Sequence, residues 1–308
     1  MKLRSIIAMS MLVSNGALAQ PERCETISFA DVGWTDITAT TALASVVLDS
    51  IGYKTESKLL TIPVTLKSLA NGDVDVFLGN WMPTMEADIA PYRDANSIDL
   101  LGKNLDGAKY TLSVPQYVYD AGVTNFKDIS EYADKFEENI YGIEPGNDGN
   151  RLIQSMIDKN AFGLKDFELV SSSEAGMLSQ VSRAVKRGDW IVFLGWEPHP
   201  MNARFDLAYL DGGDDYFGPN YGGATVHTNT RKNFTKECPN AGRFIDNIQF
   251  TLTMENEVMT MILDDGQKPE AAARAWLAKH PKTLNTWLEG IKTTKGQPAI
   301  EVAKSSLK

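Results

Sequence analysis

The stretch GDVDVFLGNWMP at residues 72–83 has a near repeat, GDWIVFLGWEP, at residues 188–198. Each follows an amphipathic segment (66–71 in one case, 178–187 in the other) that stops at the Gly opening the stretch. Gly ends helices because it enters the left-handed backbone region without a Cβ clash. Each stretch continues as an apolar run of strand length, breaks at a second Gly and delivers a Trp shortly before a Pro. A short continuous apolar run bounded by turn signals predicts a buried strand.

Similar units flank the repeat. A strand is expected over 26–32, ending in Gly33-Trp34, and a helix over 38–51, closed by Gly52. Another strand is expected over 139–143, running into the loop PGNDGN, with a helix at 151–159. Strands alternating with helices predict an α/β fold with parallel pairing through crossover connections. Ligands in such folds bind beyond the carboxyl ends of the strands. Trp34, Trp81, Asn147 and Trp196 all fall at that kind of position.

The two repeats lie far apart in the chain, so each is assigned its own α/β lobe. Cys24 and Cys238 stand near opposite ends of the mature chain. An even count in an oxidising compartment suggests a disulfide, with two buried thiols as the alternative. Closing so long a loop would stabilise by up to about 5 kcal/mol in the chain-entropy model. Such a bridge returns the C-terminal third to the first lobe. The expected domains are a signal peptide at 1–19, a discontinuous first lobe of 20–112 plus 213–308, and a second lobe of 113–212. Crossing strands near 110–114 and 211–214 would form the hinge. Segments 244–264, 269–279 and 283–291 read as helices, and the polar chain past Thr293 as frayed.

Lys2 and Arg4 precede a short apolar run at 6–13, and Ala17-Leu18-Ala19 is a small-residue cleavage signal. The run is too short to span a bilayer, so an exported, periplasmic chain cleaved near Ala19 is expected. The formal net charge of the 308 residues is −10. Losing Lys2 and Arg4 makes it −12, which argues against nucleic acid as a partner. The three histidines form no HExxH pair, and CxxC, GxSxG, P-loop and dinucleotide glycine patterns are all missing. Asp211, Asp214 and Asp215 lack calcium-loop spacing and read as turn residues. No catalytic, metal or cofactor site is expected.

The chemistry therefore rests on the tryptophans. A quaternary ammonium ion has no proton to donate, so ordinary hydrogen bonds cannot compensate its burial. Aromatic faces can, at about 0.5–2 kcal/mol per ring. Trp34, Trp81 and Trp196 suit this by their placement after a Gly at strand ends. Trp190 opens a strand, and Trp276 and Trp287 lie in helices, so these three are read as packing. Tyr110 is a candidate fourth wall, with Tyr117 and Tyr119 as rivals. Asp36 is either an N-cap or a carboxylate that offsets the ligand charge and accepts a hydroxyl hydrogen bond. Asn147 is either a cap or a partner for an alcohol, to which an Asn amide can both donate and accept.

Five segments, DVGWTD (31–36), GDVDVFLGNWMP (72–83), KYTLSVP (109–115), IEPGNDGN (143–150) and VFLGWEPHPMN (192–202), together resemble the periplasmic choline-binding proteins of ABC importers. These belong to the wider glycine betaine and choline receptor family, and the similarity spans nearly the whole mature chain. The resemblance implies a two-lobe periplasmic-binding-protein fold (type II) with two chain crossings between lobes. It implies an aromatic box of Trp34, Trp81, Tyr110 and Trp196 around the trimethylammonium group, with Asp36 and Asn147 at the hydroxyethyl end. The family's cysteine pair matches Cys24 and Cys238. The expected partners are choline and an inner-membrane ABC permease with its ATPase, and the expected state is a monomer. The alternatives are glycine betaine or another methylated amine as main ligand and, more remotely, a role as the ligand-binding partner of a membrane sensor.

Overall fold

The computed structural model describes residues 22–307, so the expected signal segment lies outside the described residues. Nine strands form one curled sheet: β1 (Thr26–Asp31), β2 (Lys54–Leu59), β3 (Val76–Met82), β4 (Ile98–Pro115), β5 (Asn139–Tyr141), β6 (Glu168–Val170), β7 (Phe193–Glu197), β8 (Leu207–Tyr209) and β9 (Gly223–Arg231). Their order is β2-β1-β3-β9-β4-β7-β5-β6, with β8 added to β4. Pairing is parallel at both ends, β1 with β2 and β3, and β5 with β6 and β7. The crossover units predict that arrangement. The centre is antiparallel instead, because β9 returns against β3 and β4.

β4 joins the two halves. Over Ile98–Lys109 it pairs with β9, and from Lys109 to Pro115 with β7 and then β8. The β4–β9 register shifts several times, the signature of bulges that bend a strand. Of the two segments expected as crossing strands, only one is a strand. Tyr110 to Val114 lies in β4, but the chain at 211–214 is not a strand: Asp211 makes an isolated bridge to Asn125, and Asp214–Phe217 is a single helical turn. The long return strand is β9. Its buried residues include Thr228, Asn229, Thr230 and Arg231, so apolar patterning did not announce it.

Two further expectations need correction. The predicted helix at 244–264 is two helices, Pro239–Asn247 and Leu252–Leu263. Thr251 accepts from the Met254 N–H at 3.1 Å as an N-cap, which starts the second helix afresh. The tail past Thr293 is ordered: Ala299–Ser306 is a helix with Ala299, Ala303 and Leu307 buried at every fourth position. Three small or apolar side chains among lysines and serines were too faint a stripe to read.

The first half is closed by the C-terminal helices, which pack on the almost wholly buried helix Thr35–Ser50. Cys24 and Cys238 form a disulfide with Cα atoms 5.5 Å apart. Nearby, the fully buried Arg231 is compensated by Asp75 and Glu237, each at 2.6 Å. A buried guanidinium needs such partners, because its desolvation is otherwise unpaid.

Candidate functional site

The repeat places its tryptophans one residue before each strand ends. Trp81 is the penultimate residue of β3 and Trp196 that of β7, and each is followed by a cis-proline peptide, Met82–Pro83 and Glu197–Pro198. Trp34 comes from a turn after β1. There Asp31 accepts from the Gly33 N–H and the Thr38 hydroxyl, both at 2.8 Å, and Gly33 adopts a positive φ of 84°. Tyr110 stands directly opposite Trp196 across the β4–β7 ladder, so the pleat puts both on one face. A side chain at Gly149 would collide with the Tyr110 hydroxyl, which is why the helix Asp148–Asp158 approaches so closely.

These elements surround a cavity with about 250 Å³ of empty space, its open mouth included, lined by Trp34, Asp36, Trp81, Tyr110, Ile143, Asn147 and Trp196. All seven are buried, and none is basic. Tyr110 lies 5.9 Å from Trp81 and 6.3 Å from Trp196, centroid to centroid. Both contacts are tilted or edge-on rather than stacked face to face. All six residues singled out from the sequence are thus brought together, joined by Ile143. Of the rival tyrosines, Tyr117 donates to the Asp189 carbonyl, and neither it nor Tyr119 lines the cavity. Trp190 packs on Tyr132 and Phe136 in the loop before β7, rather than opening that strand.

The polar end is built from two side chains. Asp36 Oδ2 accepts from the Trp81 indole N–H at 3.1 Å, and buried Oδ1 has no partner among the described residues. The capping alternative for Asp36 fails, since Trp34 occupies the N-cap position and Asp36 sits in the first turn. Asn147 is an N-cap as well as a wall. Its Oδ1 accepts from the Asn150 N–H and the Tyr110 hydroxyl, both at 3.0 Å. Burial pushes the Asp36 carboxyl up to about 8, with the Glu174 charge acting in the same direction and the Trp81 N–H opposing. Burial also raises Asp148, to about 6, and Glu144. The cavity is therefore desolvated, and its one carboxyl is held toward the neutral form unless a positive charge lies beside it.

Sequence reasoning missed the residues behind the walls. Glu144 Oε1 accepts from the Trp34 indole N–H at 2.8 Å, across the two halves. Glu174 accepts from Thr35 and from His199. Glu144 and His199 lie inside segments already singled out, so their place was visible though their role was not. Glu174 opens a helix far from any motif and carried no signal.

The model for the substrate-binding domain of ABC-type glycine betaine transport systems matches residues 25–279. An ABC-transporter choline-binding protein solved in complex with choline is 58% identical, with a TM-score of 0.92, covering 94% of this chain and all of that one. Lactococcal OpuAC in its closed-liganded conformation with glycine betaine is 30% identical, with a TM-score of 0.77, covering 85% of this chain and 98% of that one. The glycine betaine/carnitine transport binding protein of Listeria monocytogenes is 31% identical over 170 residues, which is 55% of this chain and 54% of that protein. The chain therefore belongs to the family of substrate-binding domains of ABC-type glycine betaine transport systems: an extracytoplasmic receptor that passes a small molecule to a membrane permease, and not an enzyme.

Proposed function

We propose that this receptor captures choline, holding the trimethylammonium group among Trp34, Trp81, Tyr110 and Trp196 and the hydroxyl between Asp36 and Asn147. The observation that carries the reading is the convergence of four aromatic rings on one cavity whose single carboxylate keeps an unpartnered oxygen. Four rings at about 0.5–2 kcal/mol each support micromolar capture after ordering costs. The choline-complexed relative, matching along its whole length, supports the same ligand.

A second reading is favoured by the betaine-binding relatives: glycine betaine or another methylated amine as main ligand. The lining argues against it. A carboxylate ligand needs several N–H or O–H donors or a basic partner, whereas this cavity offers one amide, whose nitrogen already donates to Asp148, one carboxyl and no basic residue. In a tryptophan-fluorescence titration, choline is expected to bind at least about tenfold more tightly than glycine betaine. Equal or tighter betaine binding would overturn the assignment.

The same reading has the chain exported to the periplasm with cleavage near Ala19 and acting as a monomer beside an inner-membrane permease and its ATPase. The division into a first lobe of 20–112 plus 213–308 and a second of 113–212 is supported by the change of partners along β4. Phe217 packs on Phe126 at 5.9 Å, which favours moving the return to the start of β9 at Gly223. Closure of the lobes around the ligand would then present the loaded form to the permease, a population shift set by differential affinity.

A further inference from the structure

Glu174 begins the helix Glu174–Arg187 in the second half of the molecule and is buried, although no lysine or arginine among the described residues pairs with it. Its carboxylate is surrounded by donors. Oε2 accepts from the Thr35 N–H at 2.8 Å, and Oε1 accepts from the Thr35 hydroxyl at 2.5 Å and lies 3.1 Å from His199 Nε2. The role of that histidine is fixed by its other nitrogen. Nδ1 accepts from the Met201 N–H at 2.9 Å, so Nε2 carries the proton and donates to Glu174.

Thr35 lies between Trp34 and Asp36, two walls of the cavity contributed by the first half. His199 packs against Trp196, the wall contributed by β7, with centroids 4.9 Å apart. One carboxylate thus connects both sides of the box. It also satisfies the Thr35 N–H, an orphan donor of the first turn of the helix Thr35–Ser50. Once the halves separate, Thr35 and Glu174 part, because they belong to different halves. Glu174 and His199 stay together, since both belong to the second.

We infer that Glu174 is a positioning residue for capture, a latch set by His199 that grips Thr35 when the halves close and so fixes Trp34 and Asp36 over the bound cation. This rests on the ligand-capture reading above and goes beyond it by naming what holds the closed form. The latch requires a carboxylate. Three donors converge on two oxygens, and an amide would turn one acceptor into a donor facing another donor. Hydrogen bonds to a charged group contribute more than neutral ones, so the latch acts on ligand escape rather than on encounter.

The test is stopped-flow tryptophan fluorescence with choline on the full mature protein. Glu174→Gln, of nearly the same shape, is expected to raise the dissociation rate about tenfold or more while the association rate stays within about twofold. The unliganded melting temperature should not fall. Thr35→Val, on the opposite side of the cleft, should raise the dissociation rate as well, and the double variant should add little to either single one. Additive effects, or an unchanged dissociation rate in either variant, would overturn the latch. So would a loss of unliganded stability that explains the whole effect.

Spin labels at Lys67→Cys and Lys186→Cys, exposed on opposite halves, give a second readout with and without choline. Glu174→Gln is expected to shift the distance distribution toward the longer separation, and identical distributions would contradict the proposal. Failure of the wild type to bind choline would count against the ligand reading. Normal choline binding by Glu174→Gln would count against the latch alone.

Discussion

The two repeats place the same side chain by the same local recipe, yet the molecule holds the two tryptophans differently. Trp81 sits on β3, flanked by β1 and β9, with its indole N–H tied to Asp36. That half is stapled by the Cys24–Cys238 disulfide and by the buried Arg231. Trp196 sits on the five-residue β7, where its carbonyl accepts from Asn202 and its ring leans on His199 and faces Tyr110. The first half therefore supplies a fixed floor with a carboxylate built into it. The second supplies a wall whose support, through His199 and Glu174, reaches the first half at Thr35.

The largest expected effect separates stability from binding. Breaking the disulfide, by reduction or by Cys24→Ser with Cys238→Ser, should cost up to about 5 kcal/mol in urea unfolding, since the closed loop spans most of the chain. Choline affinity measured under native conditions should hold, because neither cysteine reaches the cavity. A matching loss of affinity would show that the floor is not fixed independently of its staple.

Trp81→Ala comes next, at about 100-fold weaker choline binding. It removes a ring and also leaves the buried Asp36 carboxyl without its N–H donor. Trp196→Ala should cost less, about 30-fold, with far-UV circular dichroism showing an intact fold. If Trp196→Ala proved the more damaging of the two, the contrast between floor and wall would be reversed.

The smallest effect concerns pH. Asp36, raised to about 8 by burial and by Glu174, carries a proton in the empty cavity at neutral pH, and a neighbouring cation favours its loss. Choline affinity should therefore rise about tenfold from pH 6 to pH 8 and level off above that. Binding should release a fraction of a proton, measurable by calorimetry in buffers of different ionisation heat. Protonated Asp36 can donate to a carboxylate and ionised Asp36 repels one, so the preference for choline over betaine should widen across the same interval. Asp36→Asn should flatten both trends.

Folding has a linked pH dependence of opposite sense. A carboxyl whose folded pKa is raised contributes stability below its unfolded pKa and loses it as pH rises through the folded value. Unliganded protein should therefore lose some stability up to pH 8, while the choline-bound form is partly protected.

The units around Trp34, Trp81, Asn147 and Trp196 were legible because a buried parallel strand, a Gly stop and a capped helix each leave a local mark. The four residues at those unit ends meet in one cavity for that reason, whereas Tyr110 and Asp36, which join them there, were singled out from their alternatives only by the resemblance. β9 was not legible, because most of its buried side chains are threonines, an asparagine and an arginine, the last with a partner far away in sequence. Nor was the role of Glu174. Its chemistry exists only where Thr35 and His199 arrive from different parts of the chain. The final helix escaped notice because three small contacts on an otherwise polar segment do not outweigh its charge.

The central claim is that this cavity selects a methylated cation through aromatic faces. It is tested most directly by calorimetric titration with choline and with ethanolamine, which shares the hydroxyethyl arm but carries an unmethylated ammonium. The account predicts micromolar choline binding and ethanolamine binding at least about 100-fold weaker, because the rings can neither accept the three N–H bonds of a primary ammonium nor compensate its lost hydration. Comparable affinities for the two would contradict it.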